Sequence, residues 1–229
     1  MTNYNRIILN IPHSSLNLST HTWIGDIQKE VNKWTDFYTD ELFAPKTIYG
    51  NVKTVIFPYS RFFCDAERLL NDPLEEKGQG IYYTDFNNCH REKTSVAYFE
   101  AMSAWYEHQR KLSKRITPNS IVIDCHSFPT ELAPDVDICI GFNEDWSKPN
   151  LKFIELVASF FESYGYKVKL NNPYGNSITP HHDFQYSSIM IEVNKKLYMT
   201  DDLKKNQYFQ KLNNIFNYLY ENILCTWNY

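Results

Sequence analysis

Short apolar runs alternate with longer segments of helical periodicity along the chain. The first run, Arg6–Ile11, ends at Pro12 and predicts a strand, and Asn51–Phe57 predicts a second strand. Between these runs, apolar side chains recur at helical spacing over Asp26–Phe43 and predict one amphipathic helix that ends before Pro45. Such alternation is typical of an α/β sheet covered by helices.

The remainder of the chain continues this alternation. Arg91–Arg115 predicts a long helix, and Asn150–Tyr164 predicts another, which ends at Gly165. A last amphipathic helix is predicted over Asp201–Tyr220. Further strands are predicted at Ile121–Cys125, Val136–Phe142, Tyr166–Leu170 and Ser188–Val193. We therefore predict a single domain over residues 1–229, with an α/β fold in which helices cover both faces of a central sheet.

Composition and charge exclude several classes of protein. The chain has 229 residues and a formal net charge of -4, so it lacks the positive field that attracts nucleic acid. No apolar run approaches the roughly 20 residues that cross a bilayer, and the N-terminal apolar stretch is too short for a secretory signal. We expect a soluble, cytoplasmic protein with no nucleic-acid or membrane partner, in an oligomeric state that the sequence leaves open.

The cysteine and glycine patterns narrow the chemistry further. Five cysteines without a CxxC pair argue against a disulfide framework or a thiolate zinc site. The chain contains no GxGxxG, GxxxxGK[ST] or GxSxG motif, so dinucleotide binding, P-loop chemistry and a serine nucleophile elbow lack their usual support.

Ionisable residues lie at or just past several predicted strands. His13 follows the first strand, His126 follows IVIDC, and Glu192 lies within IMIEV. The acidic residues Asp65 and Glu67 follow the second strand in a long charged loop. Because strand ends of an α/β sheet converge on one crevice, these residues can meet there. Two imidazoles and a carboxylate suit Zn²⁺, whereas the alternative for each histidine is an ordinary hydrogen-bonded structural role.

Glu192 is the best candidate for a general base. Strand alternation places Ile189, Ile191 and Val193 on one face and Glu192 on the other, within a run that is otherwise apolar. Burial raises the pKa of a carboxyl group toward the range useful for proton transfer. The alternative is a salt bridge to Lys195 or Lys196.

Other charged side chains have two interpretations each. Asp124 precedes His126 by two residues and either fixes the imidazole tautomer or caps a turn. Arg61 and Arg68 flank the acidic residues of RFFCDAER. Their guanidinium groups suit the carboxylate of an anionic substrate, although surface pairing with neighbouring acids is equally compatible with the sequence.

Five strings resemble the N-formylglutamate amidohydrolase family when taken in order: IPHSS, SRFFCDAER, IDCHSF, NNPYGNSIT and IEVNKKLYM. The resemblance covers the chain from about Ile11 to Met199. It extends to the zinc carboxypeptidase and deacylase group. It implies a phosphorylase/hydrolase-like fold, a three-layer α/β/α sandwich around a mixed, mostly parallel sheet, and one Zn²⁺ per chain.

The resemblance also implies residue roles. His13 and His126 match metal ligands, Glu192 matches the general base, and Arg61 and Arg68 match arginines that hold a substrate carboxylate, with Arg61 counted among the catalytic residues. The residues implied in the substrate pocket are Arg68, Asn172, Tyr174, Gly175 and His181. The carboxylate ligand of an HxxE motif is missing, because Leu16 occupies its position. Our choice for the third ligand is therefore Glu67, with Asp65 second.

The predicted activity is zinc-dependent hydrolysis of an N-formyl or N-acyl amide of an acidic amino acid, with an N-formylglutamate-like substrate. One alternative is a zinc carboxypeptidase that acts on a small anionic peptide. The other is a non-catalytic binder of small ligands that has lost the metal.

Overall fold

A computed structural model of the chain describes residues 4–19, 22–46, 50–175 and 179–226. In chain order, the strands and α-helices are β1 (Arg6–Ile11), α1 (Ile27–Trp34), α2 (Thr39–Leu42), β2 (Val52–Ile56), β3 (Asp85–Phe86), β4 (Cys89–His90), α3 (Ser95–Arg115), β5 (Ser120–Phe128), β6 (Ile138–Gly141), α4 (Leu151–Ser163), β7 (Val168–Leu170), β8 (Ser187–Asn194) and α5 (Phe209–Glu221). In the described ranges, no helix is both long and apolar enough to cross a membrane.

Six strands form the main sheet in the order β2-β1-β5-β8-β6-β7. β2, β1, β5 and β8 are parallel, β6 runs antiparallel to β8, and β7 is parallel to β6. This topology confirms the predicted mixed, mostly parallel sheet.

Helices cover the two faces of this sheet. On one face, Ile8 of β1 and Val122 of β5 pack with Leu112 of α3. On the other face, alternate residues of β1, β5 and β8 belong to the cluster that contains Ile154 of α4 and Phe216 of α5. Both faces of the central strands are therefore buried, as their continuous apolar sequences predict.

The pairing register of β5 and β8 brings the side chains of the candidate site together. Every residue of both strands is buried. His126 pairs with Glu192 across the two strands, and Asp124 pairs with Met190. Because side chains alternate along a strand, His126, Asp124 and Glu192 share the face that α3 covers.

The prediction of one continuous helix over Asp26–Phe43 is wrong. α1 ends at Trp34, and Thr35 has extended backbone angles. The next residue, Asp36, donates its backbone N–H to the His13 carbonyl at 3.0 Å, and Tyr38 has a positive φ of 62°. The apolar stripe is helical in period, but the buried polar Thr35 and Asp36 take the backbone out of the helix and toward β1.

Two other helix boundaries also differ from the prediction. α3 begins at Ser95 and not at Arg91, because the Thr94 hydroxyl accepts a hydrogen bond from the Ala97 N–H at 3.2 Å and caps the helix there. α5 begins at Phe209 and not at Asp201. The preceding segment turns back, with Leu203 at a φ of 60°. The small β3–β4 hairpin was not predicted.

Candidate metal centre and active site

Three sequence-predicted residues meet at the carboxyl ends of adjacent parallel strands. His13 lies two residues after the end of β1, His126 lies near the end of β5, and Glu192 lies beside it in β8. All three are buried, and the ring centroids of the two histidines are 5.2 Å apart.

His13 is held as a neutral ring with one nitrogen facing the cluster. Its Nε2 donates to Asp65 Oδ1 at 2.8 Å. The Arg61 guanidinium contacts Nδ1, and because guanidinium only donates, Nδ1 carries a lone pair. Burial, followed by the charge of Arg61, lowers the pKa of His13 to about 4. The Nδ1 lone pair, which accepts from Arg61 in this structure, is the one through which a neutral imidazole would bind a metal ion.

Asp65 supports His13 from the side opposite the cluster. Its Oδ1 also accepts the Glu67 N–H at 3.0 Å, and its Oδ2 accepts the Tyr83 hydroxyl at 2.6 Å. A carboxylate on the far nitrogen of a histidine is a common arrangement around metal sites, where it fixes the tautomer and the ring orientation. The structure thus places Asp65, the second choice for a third ligand, behind His13.

Asp36 is a site residue that the sequence prediction missed. Its Oδ2 lies 3.0 Å from Nδ1 of His126 and 3.8 Å from Nδ1 of His13. Its Oδ1 accepts the Ser127 hydroxyl at 3.3 Å. The one signal in the sequence is the pair Thr35–Asp36, which interrupts the apolar stripe from Asp26 to Phe43.

The other nitrogen of His126 faces two more carboxyl groups. Nε2 lies 3.0 Å from Glu67 Oε1 and 3.6 Å from Asp124 Oδ1. Glu67 Oε2 lies 3.7 Å from Nδ1 of His13, so the structure brings Glu67 close to both histidines. Burial and the negative charge of Asp124 raise the pKa of Glu67.

Among the described residues, two groups of side chains at His126 offer the donors of a metal site, and all their members are buried except Glu67, which is partly buried. One contains His13 and Asp36, and the other contains Glu67 and Asp124. Zinc binds such donors at about 2.0–2.1 Å in a tetrahedron, which separates neighbouring donor atoms by about 3.4 Å. The distances of 3.0 and 3.8 Å from Asp36 to the two histidines bracket this value. The first group also has two nitrogen donors and fits zinc better than the second.

Glu192 has no ion pair with the lysines that follow it. Lys195 Nζ donates to the Lys33 carbonyl at 2.6 Å, and Lys196 Nζ lies 3.3 Å from Asp137 Oδ1. Among the described residues, Glu192 Oε2 is buried without a hydrogen-bond partner. Burial raises the pKa of this carboxyl group, although the charge of His126 opposes the effect.

The two arginines have different surroundings. Arg61 lies within the cluster, where its guanidinium group contacts Nδ1 of His13. Arg68 donates to the Tyr83 hydroxyl and to the Gln79 carbonyl, both at 3.1 Å, and its Nε lies 3.7 Å from Asp65 Oδ2. The side chain of Arg68 is 25% exposed. It is therefore anchored at its guanidinium group while the side chain remains partly exposed.

The predicted pocket residues lie closer to the surface. Tyr174 is at the rim, where burial and then the charge of Glu192 raise its pKa to about 12. Asn172 is exposed, and Gly175 is partly buried near Asn171. His181 is exposed, and its ring packs edge-on against Trp146, so it lies outside the buried cluster.

Comparison with known proteins identifies relatives of this architecture. The sequence profile of the N-formylglutamate amidohydrolase family matches residues 5–199. The crystal structure of N-formylglutamate amidohydrolase from Ralstonia eutropha JMP134 is similar over 97% of this chain and 92% of its own, with a TM-score of 0.74 and 17% sequence identity. A crystal structure of a gene product from Agrobacterium tumefaciens is similar over 95% of this chain and 86% of its own, with a TM-score of 0.62 and 14% identity. No curated protein matches the chain in sequence.

Proposed function

Because the chain belongs to the N-formylglutamate amidohydrolase family, we propose that it is a metal-dependent hydrolase of N-formyl or N-acyl acidic amino acids, with N-formylglutamate as the simplest substrate. The observation that supports this most strongly is the buried cluster of two histidines and a carboxylate beside Glu192. It lies at the carboxyl ends of parallel strands, where α/β proteins commonly bind small molecules.

His13 and His126 would hold one zinc ion, and a carboxylate would complete the set. Asp36 is the better third ligand because its Oδ2 faces Nδ1 of both histidines, whereas Glu67 reaches the opposite nitrogen of His126. When bound, zinc supplies Lewis acidity and lowers the pKa of water toward about 7.

Glu192 would act as the general base and then as the general acid. Its carboxylate takes a proton from the attacking water as the new C–O bond forms, and it returns that proton to the nitrogen as the C–N bond breaks. The products are a free amine and a carboxylic acid, which is formic acid for an N-formyl substrate. A buried carboxyl oxygen without a hydrogen-bond partner suits this exchange.

Recognition of the substrate carboxylates would fall to the arginines and the rim. Arg61 lies beside His13, where a bound anion would compensate its charge. Arg68 is fixed in place by Tyr83 and Asp65, and its side chain is still partly exposed. Asn172, Tyr174, Gly175 and His181 would line the outer pocket.

A substrate panel tests this proposal. The purified, zinc-loaded protein is assayed for amine release from N-formyl-glutamate, N-acetyl-glutamate and N-formyl-leucine, and for cleavage of a short peptide with a free C-terminus. We expect chelator-sensitive hydrolysis of the N-acyl acidic amino acids. Faster peptide cleavage would instead identify a carboxypeptidase, and binding of these compounds without turnover would identify a ligand-binding relative.

A further inference from the structure

A line of buried polar side chains runs from the metal centre into an apolar layer. His108 of α3 and Asn10 of β1 are 2% exposed, and Asp124 of β5 is fully buried. They lie among apolar residues of the α3 face, including Leu112 and Val122. Burying polar groups there is unfavourable unless each finds a partner, so a purely structural layer would be more stable with apolar side chains.

The hydrogen bonds in this line have one direction. Asn10 Nδ2 donates to Asp124 Oδ1 at 2.7 Å, because an ionised carboxylate only accepts. The Asn10 amide oxygen is therefore left to accept, and His108 Nε2 donates to it at 2.9 Å. The orientation of Asn10 is thus set from both ends.

The line ends at His126. Asn10 and Asp124 are register partners on neighbouring strands, and Asp124 is two residues before His126 on the same face of β5. Asp124 Oδ1 lies 3.6 Å from Nε2 of His126, the nitrogen that faces away from Asp36, and Glu67 Oε1 lies on the same side at 3.0 Å. A carboxylate behind a metal-binding histidine orients the ring, and its loss typically weakens metal binding about 10- to 100-fold.

We infer that Asn10 and His108 are positioning residues that hold Asp124 against His126 and thereby preorganise the ring for metal binding. This inference rests on the proposed function, because it takes His126 as a metal ligand. Asp124 also lies close to the carboxyl group of Glu67. The donor from Asn10 stabilises the charge on Asp124 and fixes the position of the carboxylate.

Zinc affinity of the full chain tests the inference. His108→Leu removes the donor, whereas His108→Gln keeps an amide N–H near the position of Nε2. Zinc dissociation constants are measured by competition with a chromophoric chelator, and kcat and KM are measured with N-formyl-glutamate. We expect the zinc dissociation constant to rise about tenfold in His108→Leu and in Asn10→Ala. This is the lower end of the loss of metal affinity that is typical when a residue supporting a metal ligand is mutated. His108→Gln should restore most of the affinity, and kcat should change more than KM.

Leu112→Ala is the matched control. Leu112 is 1% exposed and lies one turn after His108 on the same helix, so its truncation loosens the same layer without touching the polar line. Equal weakening of zinc binding in Leu112→Ala and His108→Leu would overturn the inference, as would unchanged affinity in His108→Leu. If Asn10→Ala does not fold, the two His108 variants decide. Failure of the wild-type protein to bind zinc would reject the proposed function itself. Equal zinc affinity in the wild type and the variants would reject only the positioning role of Asn10 and His108.

Discussion

At the scale of single residues, the imidazole of His126 lies between Asp36 on one side and Glu67 and Asp124 on the other. Position relative to strands was enough to predict His13, His126 and Glu192 as candidates, because the carboxyl end of each strand follows from its apolar pattern. Asp36 could not be predicted in the same way. It reaches both histidines only because the helix ends before it, whereas the apolar periodicity predicts a helix that continues through it. The separation of Asp65 and Glu67 into different surroundings depends on the path of their loop, which the sequence does not specify.

The assignment of the third ligand leads to the first prediction. Asp36→Asn should remove most of the bound zinc, because an amide is a neutral and weaker ligand than a carboxylate. Glu67→Gln is the matched control, since it makes the same chemical change on the opposite side of His126. Zinc per chain is measured after dialysis against a mild chelator. Loss of zinc in Glu67→Gln with retention in Asp36→Asn would assign the ligand to Glu67.

The role of Glu192 gives a second prediction. Glu192→Gln should lower kcat about 10²- to 10⁴-fold, because it removes a positioned general base, while the zinc content remains that of the wild type. Steady-state kinetics and metal analysis on the same preparation check both parts. Normal turnover in this variant would rule out Glu192 as the base.

At the scale of elements, the hydrophobic pattern predicted the strands more accurately than it predicted where the helices begin and end. β1 occupies its predicted range, and β8 extends the predicted strand by one residue at each end. Strand type follows from short apolar runs that must be buried on both faces. The ends of α1, α3 and α5 depend instead on a buried aspartate, a threonine cap and a turn, which are local or tertiary effects that periodicity does not contain.

Packing of α4 gives a third prediction. Ile154 is fully buried against the sheet, so Ile154→Ala should lower the free energy of unfolding by about 2–5 kcal/mol. Leu151 on the same helix is 58% exposed. Leu151→Ala should therefore change the free energy of unfolding by no more than about 0.5 kcal/mol. Denaturant titration monitored by tryptophan fluorescence measures both values. Similar losses in the two variants would mean that α4 packs through another face.

At the scale of the whole molecule, the sheet order brings together residues that are far apart in sequence. The adjacency of β1, β5 and β8 collects His13, His126 and Glu192, and the connection after β1 adds Asp36. Parallel strands have their carboxyl ends at one edge of the sheet, so the site is a consequence of the topology. The net charge of -4 makes no contribution to holding an anionic substrate, which leaves this task to the local arginines.

Metal binding should therefore stabilise the whole fold, which is the fourth prediction. A ligand that binds only the native state stabilises it by about 4 kcal/mol at a thousandfold excess over its dissociation constant. Zn²⁺ should raise the unfolding temperature of the chelator-treated protein, whereas Mg²⁺, which prefers oxygen ligands, should have little effect. Differential scanning calorimetry measures the shift, and equal shifts for the two ions would contradict a site rich in histidine.

The most direct test of the central claim is the zinc content of the purified, tag-free protein, determined by inductively coupled plasma mass spectrometry for the wild type and for His126→Ala. The account predicts about one zinc ion per chain in the wild type, consistent with a single tetrahedral site, and its loss in the variant. Absence of zinc from the wild type even after zinc is added, or full retention in His126→Ala, would contradict the metal centre on which the proposed hydrolysis depends.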